Sequence, residues 1–151
     1  MIEHHVHISN LPQVDAHLAQ LSEGVEVLKP LWERFGKEFY SQEESLFNKA
    51  PWKPLSPAYA ERKRQEFGAK PILRATDVLF RSLTRQGAEG NIHRINDLDA
   101  EFGSNDFKAV FHQFGTSRMP ARPPLAEPEV DRYESLASVY LEEIIKKAGF
   151  N

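Results

Sequence analysis

Ten prolines in 151 residues, seven of them packed into two short stretches, limit this chain more than any other feature. Proline fixes φ near about −65° and carries no amide hydrogen, so it suits helix starts and extended segments and breaks helix interiors. Pro51, Pro54 and Pro57 make residues 51–57 a non-helical crossing, with Trp52 as its anchor. Pro120, Pro123, Pro124 and Pro128 make residues 115–128 a stiff extended stretch that cannot be helix. Regular structure is left to the segments on either side.

Periodicity fills those segments. Residues 2–8 alternate Ile2, His4, Val6 and Ile8 on one face and read as a short strand. Ser9 and Asn10 are helix caps, Pro12 sits just inside a helix start, and Val14, Leu18 and Leu21 follow at helical spacing until Gly24 interrupts. A second helix carries Leu28, Leu31, Trp32, Phe35 and Phe39 on one stripe, with Pro30 in its first turn. Ser41 and Glu44 form a capping-box pattern where a helix restarts. Residues 57–67 and 71–85 read as two further helices, the second with Ile72, Ala75, Leu79 and Ser82 on one face. Residues 91–95 and 98–103 pair as a hairpin around Asn96-Asp97, and residues 106–114 form a short apolar helix. The last helix runs from near Pro128 to about Ala148, striped by Tyr133, Leu136, Ala137, Tyr140, Leu141 and Ile144. Glu142–Lys146 and Glu143–Lys147 are i,i+4 pairs, and Gly149 is its stop. The expected class is α+β, a small antiparallel sheet against long N- and C-terminal helices, in one domain spanning 1–151.

The net charge of −3 is unevenly spread. Residues 1–50 sum to −4, residues 51–85 to +5, and residues 86–151 to −4. A basic middle between acidic ends meets a polyanion, or the acidic surface of a neighbouring copy, or only solvent. The polyanion candidates are Arg62, Lys63, Arg64, Arg74, Arg81 and Arg85; one helix would align Arg74, Arg81 and Arg85 at spacings of 7 and 4. No polar groups for reading bases accompany them, so contact with DNA would be non-specific.

Catalytic chemistry is poorly marked. The absence of cysteine excludes disulfides, thiol catalysis and Cys-ligated metals. His5 and His7 share a strand face and offer two ligands to a zinc or nickel ion, but no third or fourth ligand is evident, and an exposed polar face is the better account of them. His112 stands among aromatics without a nucleophile or carboxylate partner close in sequence. No nucleophile-elbow, zinc-protease or phosphate-loop motif occurs. No catalytic residue, metal or cofactor is assigned. Apolar runs of only a few residues leave nothing to cross a membrane.

Several segments then line up with a known family. Trp52, Leu55, Ser56, Pro57, Tyr59 and Lys63 spell W-x-x-L-S-P-x-Y-x-x-x-K. Residues 72–76 read I-L-R-A-T, with Ser82 and Leu83 beyond. Residues 112–115 read H-Q-F-G, and residues 119–123 read M-P-A-R-P. In this order they resemble the phage virion morphogenesis family, the tail-completion proteins of Mu-like and related contractile-tailed phages and prophages. The family usually has Gly after the Thr of I-L-R-x-T, where this chain has Asp77.

The resemblance implies assembly rather than catalysis: a subunit at the head-proximal end of a tail, with a fold like tail-terminator and neck proteins. Such proteins sit as rings, commonly of six copies, between tail tube or sheath proteins and head-side connectors. It implies a place in the virion at the tail–head junction, after assembly in the bacterial cytoplasm. Trp52, Arg74, His112, Gln113, Gly115 and Arg122 are the residues it marks. The Pro-rich stretch 118–128 is a candidate arm reaching a neighbour; its deletion over 116–127 would abolish ring assembly and leave a folded monomer. The alternative is a DNA-contacting neck adaptor that turns its basic 61–85 face to DNA.

Overall fold

A computed structural model describes residues 11–150, with side chains from Ala16 onward; the expected strand at 2–8, its histidines and the caps at Ser9 and Asn10 lie outside the described residues. Six helices and one hairpin follow among the described residues, as an α+β arrangement: α1 (Leu11–Glu26), α2 (Lys29–Lys49), α3 (Pro57–Phe67), α4 (Val78–Thr84), β1 (Asn91–Ile95), β2 (Ala100–Ser104), α5 (Lys108–Phe114) and α6 (Val130–Lys147). No described helix is long and apolar enough to cross a membrane.

The long helices form one layer. Pro30 sits in the first turn of α2, where a missing amide hydrogen costs nothing. Alpha2 runs unbroken through Ser41, so the capping-box pattern is not used. The reason is that Gln42 and Glu43 continue the inward stripe of Phe35 and Phe39 and are themselves buried. Gly24 does not interrupt α1 either: it lies inside the helix, where a Cβ would stand 2.6 Å from Cγ2 of Ile144 on α6. The glycine is there for close helix approach. Leu31, Tyr140 and Ile144 form the buried centre of this layer, with Leu21, Leu28, Trp32, Phe35 and Ala137 around them. Glu143 is held by Arg34 across the layer at 2.6 and 3.2 Å, not by the expected Lys147.

The hairpin pairs Asn91 with Ser104 through Ile95 with Ala100. Its loop is Asn96 to Asp99, closed by Asn96 N–H to the Asp99 carbonyl at 2.8 Å. The sheet packs against α2 through stacked Phe39–Phe102 and Tyr40–His93 pairs. A second core joins Phe47 and Trp52 to Leu79, Phe80 and Leu83 of α4.

The expected helix over 71–85 is shorter. Only Val78–Thr84 is helical, because Leu73 (φ 63°) and Asp77 (φ 61°) are left-handed. Left-handed backbone is sterically costly for residues with a β-carbon and ends regular helix. Arg74 therefore does not share a helix with Arg81 and Arg85.

Candidate assembly surface

The two Pro-rich stretches lie against each other, and this contact organises the family motifs. Proline-rich backbone offers carbonyls but few amide hydrogens, so it cannot be held by an ordinary strand ladder. Side-chain donors do the work instead. Trp52, buried edge-on against Phe47, donates its indole N–H to the Pro123 carbonyl at 2.7 Å. Arg122, also buried, donates from Nε to the Lys53 carbonyl at 2.7 Å and from Nη2 to the Pro54 carbonyl at 2.9 Å. Lys63 is buried on α3 and gives its ammonium to the carbonyls of Lys70 and Pro71. Burial pulls the Lys63 pKa down, with the Asp77 carboxylate opposing that shift.

On the far side α2 completes the clamp. Glu43 is 1% exposed and accepts the Ala126 N–H at 2.9 Å through one oxygen; its other oxygen has no partner among the described residues. Burial pushes the Glu43 carboxyl up to about 7, against the pull of that hydrogen bond. Gln42 accepts from the Glu129 N–H at 3.4 Å, and Glu38 pairs with Arg132 at 2.6 Å. Pro124 is fully buried beneath. The stretch read as an arm is thus docked along its own chain.

Gly115 makes the turn into this stretch. Its φ is 72°, and a Cβ would lie 2.7 Å from the Ala121 nitrogen and 2.9 Å from the Met119 carbonyl oxygen. No other residue fits that approach. Thr116 and Met119 close the turn by reciprocal backbone bonds, and the Arg122 N–H returns to the His112 carbonyl at 2.7 Å.

Between the strips opens a groove of about 610 Å³. Lys53, Tyr59 and Lys63 line it from one side of the chain, and His112, Arg118, Met119 and Arg122 from the other. None of its lining side chains is acidic. His112 is held below its ordinary pKa by burial first and then by Arg122, so its imidazole is neutral near pH 7. Its Nδ1 and the Gln113 Oε1 are buried with no hydrogen-bond partner among the described residues. No group of three or more metal-ligating side chains is found among the described residues.

Trp52, His112, Gly115 and Arg122 meet at or beside this groove, while Arg74 lies apart. Arg74 stacks over Phe80 with its guanidinium carbon 3.8 Å from the ring centroid and pairs with Asp77 at 2.8 Å. The six basic candidates do not form one face. Lys63 points inward; Arg62 covers Tyr59; Arg64 pairs with Glu61 at 3.4 Å; Arg81 and Arg85 line a separate shallow pocket near Gly87.

Two features are not anticipated by the sequence analysis. The first is Glu43, whose one signal in the sequence is a polar residue in line with the apolar stripe of α2. The second is α5, whose Phe107, Val110, Phe111 and Phe114 repeat at helical spacing and look like a core face, yet all four are exposed, Phe107 by 69% and Phe114 by 79%.

Compared with curated proteins and with solved structures, the chain finds no match in either set. The family model of phage virion morphogenesis proteins matches residues 9–140, which take in every motif residue of the clamp and groove. The chain belongs to the phage virion morphogenesis family.

Proposed function

We propose that this chain is a structural subunit of the tail-completion type. It caps the head-proximal end of a phage tail as a ring and makes that tail competent to join a head. The family match over residues 9–140 carries this reading. The geometry agrees with it: the motif residues Trp52, Gly115 and Arg122 shape backbone, and what they leave open are docking surfaces. The groove suits acidic segments of neighbouring tail or head-side proteins, since its exposed lining cations are Lys53 and Arg118 and none of its lining side chains is a carboxylate. Duplex DNA is the weaker partner, because Lys63 and Arg74 of the basic stretch are committed within the chain. The protein then resides in the virion at the tail–head junction.

Extract complementation tests the role. Purified protein, added to a lysate of the phage or prophage lacking this gene, restores infectious particles. A lysate that is already infectious without it, or that stays inactive when it is added, overturns the reading.

A further inference from the structure

Among the described residues, two apolar patches on different elements are left exposed, and they differ in shape and in the charge around them. The first is convex. Phe107, Val110, Phe111 and Phe114 lie on one side of α5, which is held to the body through Ala109 and the bond from Arg122 to the His112 carbonyl. Three phenyl rings that are half to four-fifths exposed offer roughly 300–500 Å² of removable apolar surface, as much as the largest patch on an ordinary monomer. A cation flanks it: Lys108, with its ammonium 6.0 Å from the Phe107 ring centroid.

The second is a shallow, open hollow. Leu18, Leu21 and Val25 of α1 and Leu98 of the hairpin loop line a groove of about 510 Å³ with Ser22 and Glu26. Leu98 is 65% exposed, an unusual position for a leucine at a hairpin tip. Acidic residues surround it: Glu26 on its wall, and Asp97 and Asp99 on either side of Leu98. One cation, Lys29, pairs with Asp97 at 3.1 Å.

We propose that the α5 aromatic face of one copy seats in the α1–Leu98 groove of a second copy. Knob meets groove, and Lys108 meets the acidic rim. This inference rests on the structural-subunit reading above and assigns its contact surface. Because the two patches are unlike, the contact is heterologous: each copy leaves one knob and one groove free, so copies add head to tail, into a ring where the rotation between them closes and into a filament where it does not. An isologous pair of α5 faces would instead stop at a dimer and set Lys108 against its own kind.

The chain has no cysteine, which makes the test clean. Phe114→Cys and Leu98→Cys are made singly and together in the full chain, and treated with a flexible bis-maleimide at high protein concentration. Both positions are exposed, so neither change touches a core, and circular dichroism checks the fold. The double variant is expected to give a ladder of dimers, trimers and larger species. An equimolar mixture of the single variants is expected to give the mixed dimer in excess of either homodimer. Cross-linking of Phe114→Cys to itself alone overturns the inference in favour of an isologous contact. Absence of cross-links in every variant overturns it as well. Either failure, beside unjoined tails in lysates lacking the gene, leaves the tail-completion reading standing; a ladder beside normal joined particles leaves self-assembly and removes the tail role.

Discussion

Asp77 occupies a left-handed position, φ 61°. A residue with a β-carbon is tolerated there because its carboxylate gains two partners, Lys70 and Arg74, each at 2.8 Å. Burial opposes its ionisation, and the two hydrogen bonds outweigh burial and hold the pKa below the usual carboxylate range. Asp77→Ala keeps the backbone strain and loses both partners; Asp77→Gly loses the partners and relieves the strain. The alanine variant is therefore expected to be less stable than the glycine variant by about 1 kcal/mol in urea denaturation. Equal stabilities would contradict the strain argument. Arg122 is a second case. Its planar fork donates to two backbone carbonyls from a buried position. Arg122→Lys loses at least one of these charge-assisted hydrogen bonds and is expected to cost about 1.5–3 kcal/mol, read as a lowered melting temperature. An unchanged melting temperature would show that the fork holds nothing.

At the scale of elements, the hairpin, the Pro30 start of α2 and the α6 stripe were legible because their periods are set by burial of one face. The break at 71–77 was not. Ile72 and Ala75 continue the helical spacing of Leu79 and Ser82, but Lys63 claims the carbonyls of Lys70 and Pro71 from the preceding helix α3. Gly24 misled for the opposite reason: helix packing against Ile144, not a turn, calls for it. Alpha2 also couples the clamp to pH through Glu43. Its folded pKa of about 7 lies above the ordinary carboxylate value, so the folded state binds the proton more tightly than the unfolded chain does. That stabilisation is fully present below about pH 4.5 and is lost as pH rises through about 7. Buried His112 titrates in the opposite sense, its charging destabilising the fold at acid pH. Glu43→Gln isolates the first effect: the stability of the original protein relative to this variant is expected to fall between pH 5 and pH 8, by as much as about 3 kcal/mol. A difference that stays constant over that range would refute a buried, proton-holding Glu43.

Across the whole molecule, the two Pro-rich stretches are one structural unit rather than a linker and an arm. Their positions were readable in the sequence, and Trp52 was readable as an anchor. Their mutual docking was not, since side-chain donors from distant residues make it and leave no period behind. Deletion of residues 116–127 removes Arg122, Pro124 and the partner of Glu43 together. The deleted chain is expected to lose cooperative thermal unfolding, not to survive as a folded monomer; a sharp transition near that of the intact chain would mean the stretch is an arm after all. The same docking fixes the Gly115 turn and thereby presents α5 and the cationic groove as rigid surfaces, which is what an assembly subunit requires. The most direct test of that role is electron microscopy of lysates from a phage or prophage lacking this gene. Filled heads beside separate tails, some of abnormal length, are the predicted result; normal joined particles would contradict it.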